Sequence, residues 1–152
     1  MDNKTRLLEF LKSQKFLVIA TQGDDPWIVN VFHGVDNNFN IYFVSGVEAE
    51  HSKHIIKKPN VTFSTVWFNP SSHLDRKGVQ GRGTCHISET EEETETGIHL
   101  HNTNFPEFKD SLTLDYIRSE DNKSRVWIIK PSFIKFWNDE LYGQDGSEKF
   151  NF

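Results

Sequence analysis

An antiparallel β-barrel of six strands with flanking helices, mainly β within the α+β class, is the fold this sequence predicts. Three observations predict it. Short aromatic and β-branched runs recur along the chain, separated by clusters of Asn, Asp, Gly and Pro, as strands joined by turns require. The run Gly78 to Ile87 alternates, with Val79, Gly81, Gly83, Cys85 and Ile87 on one face and Gln80, Arg82, Thr84 and His86 on the other. Helical patterns do not regularly separate the strands, which disfavours a doubly wound parallel sheet.

The elements follow in order. Leu7, Leu8 and Leu11 at helical spacing predict an amphipathic helix over 3–13, capped by Asp2 or Asn3. Phe16 to Ala20 is a continuous apolar run and predicts a buried strand. Gly23-Asp24-Asp25-Pro26 turns the chain into a strand from Trp27 to His33, and Asp36-Asn37-Asn38 turns it again into Asn40 to Ser45. A short helix carrying Ser52, Lys53 and His54 ends at Lys57-Lys58-Pro59, and a strand from Val61 to Phe68 follows. Gly81 and Gly83 inside the alternating strand point to a bulge, a sharp bend or a close approach. The glutamates after Ser88 favour a surface helix starting near Glu89 or Glu91, because negative charge suits a helix N-terminus. Phe105-Pro106 opens a second helical piece. Arg125 to Lys130 and Phe133 to Asn138 read as strands kinked apart at Pro131. The tail after Gly143 is polar and predicts loose chain, with Phe150 and Phe152 able to dock.

Residues 1–152 are sized for one domain with a real core. Thirteen Phe and four Trp suit a β-rich interior and flat binding surfaces. A net charge of −5 excludes a broad basic face for nucleic acid, but not a local anion pocket. Cys85 is the only cysteine, so no intrachain disulfide forms, and on an apolar face it reads as a small core residue. Met1 to Arg6 lacks the apolar run of a signal peptide and no stretch is long enough to span a bilayer, so the expected location is the cytoplasm, away from membranes.

The chemistry-bearing cluster is His51-Ser52-Lys53-His54. Lysine, hydroxyl, imidazole and the free N–H groups of a helix start are the donors a phosphate dianion needs. A solvated helix face of Lys53, His54, Lys57 and Lys58 is the alternative. The pairs His51/His54, His99/His101 and Cys85/His86 do not make a metal site: the last two splay, and the first lacks a third ligand. No nucleophile–base arrangement or carboxylate pair is present, and no catalytic residue is assigned.

Taken in order, Trp27–His33, Asn40–Ser45, Ser52-Lys53-His54, Lys58-Pro59-Asn60-Val61 and Lys130–Trp137 resemble the FMN-binding split-barrel family related to pyridoxamine 5′-phosphate oxidase, from Leu7 to about Gly143. The resemblance implies a six-stranded antiparallel split β-barrel and a homodimer with FMN between subunits. It also implies a flavin-dependent oxidoreductase acting on a small molecule. By the same resemblance the strand carrying Asn30, Val31 and His33 lies against the flavin ring, and Val44 and Ser45 meet the ribityl phosphate region. Ser52, Lys53 and His54 would hold the phosphate, although the commoner pattern has a lysine where this chain has His51, which leaves Lys53 and His51 as alternatives. Trp137 would close over the flavin. After it, oxidases of pyridoxamine phosphate carry basic residues, whereas Asn138 to Asp145 holds Asp139, Glu140 and Asp145 and no base, so that activity is not expected. A haem-handling split barrel with His33 or His54 at iron, a binding protein that has lost the flavin, and a deazaflavin-dependent reductase are the other readings.

Overall fold

The computed structural model describes residues 1–152. Helix α1 (Asn3–Ser13) is followed by strands β1 (Phe16–Thr21), β2 (Trp27–Phe32), β3 (Gly34–Val35) and β4 (Ile41–Gly46), then helix α2 (Glu50–Lys57). The long strands β5 (Asn60–Asn69) and β6 (Ser72–Ile87) form a hairpin. Helix α3 (Glu91–Asn104), a 3₁₀ turn at Pro106–Phe108 and helix α4 (Leu114–Arg118) come next. Strand β7 (Ser124–Asn138), helix α5 (Asp139–Tyr142) and strand β8 (Ser147–Asn151) complete the chain. The strands make one antiparallel sheet in the order β2-β1-β5-β6-β7-β4-β3, with β8 on β7. No helix is long and apolar enough to cross a membrane.

The sheet curls around its own apolar face. Leu17 and Ile19 of β1, Val61 and Phe63 of β5, Val79 of β6, and Trp127, Ile134 and Phe136 of β7 fill the interior. Helix α1 closes one end with Leu7, Phe10 and Leu11, its first turn capped by Asp2, which accepts from the Thr5 N–H at 2.8 Å. A second, smaller core of Tyr42, Ile98, Leu112, Ile117, Val126 and Ile128 lies on the outer side of β4 and β7, beneath α3 and α4. Helix α3 starts at Thr90, whose side chain accepts from Glu93 N–H while Glu93 reaches back to the Thr90 N–H, a capping box.

Eight strands stand where six were expected, and the strands depart from the expectation at three places. Pro131 does not divide β7. It falls where the β6 register shifts, so that Arg82 faces Phe133 and Gly83 faces Pro131, and the missing N–H sits at a bulge. Gly83 is required there, because a Cβ would stand 2.3 Å from the Lys130 carbonyl oxygen. The tail is not loose: Ser147–Asn151 pairs with Phe133–Trp137, Phe150 packs on the main core, and the Phe152 ring lies 4.9 Å from that of Phe39. Finally, β3 has only two residues, too few for a sequence pattern.

Candidate functional site

Alternation along the strands sends a second set of side chains to the outside of the sheet. Val18 and Ala20 of β1, Ile28 of β2, Thr62 and Ser64 of β5, Gln80 and Arg82 of β6, and Phe133 of β7 line an open cavity of about 390 Å³, with the edges of Phe63 and Gly81 at its floor. Ile28 is 65% exposed and Phe16, at the other end of the same hairpin, 59%. A monomeric soluble surface rarely leaves such a contiguous apolar patch uncovered. The Arg82 guanidinium lies 4.7 Å from the Phe133 ring centre, which holds this cation flat at the cavity wall. Asn30 is exposed on the same face, paired with Val18, and Val18 with Ser64, so one row of the sheet carries an amide and a hydroxyl.

Trp137 also lies on this outer face, paired with Gly78, where any Cβ would strike the indole at 2.3 Å. The Arg76 guanidinium sits 5.9 Å from the Trp137 ring and binds Asp139 at 3.1 Å and also Asp145. Lys77 binds Glu140 at 2.8 Å. The three acids after Trp137 are therefore matched by two cations from β6. The hydrogen bond from Arg76 holds the Asp139 carboxyl below its ordinary value.

A second cavity, of about 430 Å³, lies at the turn joining β1 to β2. Trp27 lines it and the next residue, Ile28, lines the sheet cavity, so by strand alternation the two cavities lie on opposite faces of the β1–β2 hairpin. One wall is the polar face of α2, because Glu50, Lys53, His54 and Lys57 share helical phase, with Lys58 beyond the helix. The other wall is Gln22 to Asp25. Three lysines, with Glu50 among them, face Asp24 and Asp25 across it. His54 is fixed on both sides: Nε2 donates to Glu50 Oε1 at 3.0 Å, leaving Nδ1 to accept from the Thr21 hydroxyl at 2.9 Å. Gly23 is pressed onto this ring, since a Cβ there would lie 2.3 Å from His54 Nε2.

The His51–His54 segment thus divides. Lys53 and His54 face this cavity, while His51 and Ser52 turn inward and fasten the helix to the end of β4. Ser45 Oγ and His51 Nε2 hydrogen-bond at 2.7 Å, and Ser52 Oγ donates to the Gly46 carbonyl at 2.6 Å. Trp127 Nε1 donates to the Ser45 carbonyl at 3.0 Å. Burial lowers the His51 pKa, and the neighbouring His54 adds to the shift.

Two of the other residues expected at the cofactor lie in the main core. Val31 packs into it. His33 is only 2% exposed, Nε2 donates to the Leu11 carbonyl at 3.3 Å, and Nδ1 has no partner. Burial pushes its pKa down to about 4. Val44 lines a separate cavity under α3 and α4. Burial also pushes the Cys85 thiol up to about 12, which leaves it inert as a nucleophile. Two participants were missed from sequence: Arg82, whose outward parity was legible in the alternation, and the Gln22–Asp25 wall, which reads there only as a turn.

No family model matches this chain, and no curated protein does. Solved structures do. A heme binding protein from Mycobacterium smegmatis superposes with a TM-score of 0.76 at 17% identity, covering 99% of this chain, which spans 59% of that protein's length. A NimC/NimA family protein from Clostridium acetobutylicum gives 0.68 at 19% identity, covering 100% of this chain and 95% of the other. A pyridoxamine 5′-phosphate oxidase-like protein from Listeria innocua gives 0.67 at 19%, covering 90% of this chain and 99% of its own. With its antiparallel half-barrel sheet and flanking helices, the chain has the split-barrel fold of the pyridoxamine 5′-phosphate oxidase-like proteins.

Proposed function

We propose that two copies of this chain meet on the exposed sheet face and hold FMN there, as a flavin-dependent oxidoreductase acting on a small substrate. The observation that carries this reading is the uncovered apolar face with Arg82 at its wall, on the same β1–β2 hairpin whose turn bounds a cavity holding Lys53, Lys57 and Lys58. A flavin needs a flat apolar floor for its ring and cations for its phosphate, and the residues present fit both. The α2 lysines would take the phosphate, and Arg82, with Asn30, Thr62, Ser64 and Gln80, would offer polar partners to a ring edge. Lys53 is preferred to His51 as the phosphate ligand, because His51 is buried against Ser45. Bound flavin would supply the electron transfer, and this chain its position and field. Pyridoxamine phosphate is not the substrate in this reading, since Arg76 and Lys77 beside Trp137 are already paired with acids.

Haem is a second reading, favoured by the likeness to the Mycobacterium smegmatis heme binding protein. Haem is also flat, apolar and anionic at its propionates. Against it, the sheet cavity is lined by no imidazole, thiol, phenol or thioether, and both His54 nitrogens are engaged.

Titration with FMN, riboflavin and hemin tests the choice. FMN should bind, riboflavin should bind more weakly, and Lys53→Ala and Arg82→Ala should each weaken FMN by roughly ten- to a hundred-fold, the loss of about 1.5–3 kcal/mol of charge-assisted contact. A Soret band lost in His54→Ala, with no flavin uptake, would replace FMN by haem. Uptake of neither would leave a binding protein without flavin.

Association is tested separately by light scattering. The native chain should run as a dimer and Ile28→Asp as a monomer, because a carboxylate on the apolar face would be buried unpaired between the copies. A monomeric native chain that retains FMN would remove the second copy from the site.

A further inference from the structure

Beneath α3 and α4, away from the sheet face, lies a cavity of about 340 Å³ that the FMN reading does not use. His101, Phe108, Leu112, Tyr116 and Val44 line it, with the hydroxyls of Ser111 and Ser124. Its size is near the lower bound of about 300 Å³ for ligand pockets.

The chemistry of His101 is set by its neighbour. Asn102 Nδ2 donates to the Leu112 carbonyl at 2.9 Å, so its Oδ1 is the atom facing the imidazole, 3.1 Å from His101 Nδ1. An amide oxygen only accepts, so Nδ1 carries the ring proton and Nε2 of the neutral ring carries the lone pair. That Nε2 has no hydrogen-bond partner in the protein and is not sealed from solvent. The ring is steered by Phe105 at 5.5 Å and by Phe108, edge-on at 5.3 Å.

A second, independent feature is the rim. Phe108 and Tyr116 stand 43% and 45% exposed at the mouth of this one cavity. Paired exposed aromatics around a concave surface are what a ligand, rather than folding, would cover.

We infer that this cavity binds a small, neutral, flat aromatic molecule of one or two rings that donates a single N–H or O–H to His101 Nε2. The apolar walls and the two rim rings take the ring faces, and the fixed acceptor sets the orientation. A site built around one acceptor discriminates strongly against an analogue lacking the donor. The inference does not rest on FMN binding.

Indole and 1-methylindole are the probes, nearly equal in shape but with and without the donor. In ¹H–¹⁵N spectra of the full chain, indole should shift the amides of residues 101–124 and Val44, with 1-methylindole at least tenfold weaker. His101→Phe, which keeps a ring between Phe105 and Phe108, should bind the two equally while its other amides remain native. Imidazole ¹⁵N shifts should report His101 protonated at Nδ1, with Nε2 changing on indole addition. Equal binding of the two probes by the native chain, indole shifts confined to the sheet face, or no shifts at all would each overturn the inference.

Discussion

The protein is expected to lose about 3 kcal/mol of folding stability between pH 7 and pH 4, with His33 responsible for most of it. The ring is buried with one proton, on Nε2, committed to the Leu11 carbonyl, and its Nδ1 makes no hydrogen bond. A second proton would create a buried cation, and the backbone of Leu11 and Lys15 offsets only part of the cost of burying it. Burial therefore lowers the folded pKa to about 4, against about 6.5 in the unfolded chain. Above the unfolded value the two states bind the same number of protons, and stability is full. As the pH falls below it, only the unfolded chain takes up the proton, and stability declines by up to about 1.4 kcal/mol per pH unit until the folded value is passed. Denaturant titrations across this range measure the slope. His33→Gln keeps an N–H donor for Leu11 and does not titrate, so its slope should fall by about one proton. His51, also lowered by burial, acts in the same direction in this range. The carboxylates held low by hydrogen bonds, such as Asp2 and Asp139, lose their contribution only at more acidic pH. An unchanged slope in His33→Gln would assign the acid sensitivity to His51 instead.

His33 also marks where sequence reasoning stopped. A histidine at the end of an apolar strand looks the same whether it meets a ligand or the underside of a helix, and only the docking of α1 decides which. The strands themselves were legible because period-two alternation and turn residues are local signals: Gly78–Ile87 has the parity seen in its sequence, and Glu50–Lys57 lies where the short helix carrying Ser52, Lys53 and His54 was expected. Pro131 misled because a missing N–H matters only opposite a donor-demanding partner, and here the chain bulges at Ser132, with Gly83 opposite making room for it. The β8 strand was hidden because it borrows its stability from β7, while its own residues are mostly polar. The cluster at His51–His54 was visible, but its partition was not. Helical phase alone puts 53 and 54 apart from 51 and 52 only once the direction of Ser45 and Gly46 is known.

Two tryptophans at the ends of β7 should separate folding from binding. Trp127 is 1% exposed, stacks on Phe43 at 6.3 Å, and donates to the Ser45 carbonyl. Trp127→Ala should cost about 3–5 kcal/mol, the range for a large aromatic removed from a core. Trp127→Phe keeps a ring there and removes the indole N–H, so it should cost about 1–3 kcal/mol. It should also loosen α2, because Ser45 is the residue that His51 grips. FMN affinity would then fall with it, although Lys53 is untouched. Trp137 sits half-buried on the outer face over Gly78, and Trp137→Ala opens space toward solvent rather than in the core. Its stability loss should be about 1 kcal/mol or less, as for changes outside the core. Its effect should appear in FMN binding and in dimer formation. Thermal denaturation and flavin titration of the three variants read both quantities on the same samples. If Trp137→Ala is as unstable as Trp127→Ala and leaves FMN binding unchanged, Trp137 is a packing residue, and the sheet face near it is not the flavin site.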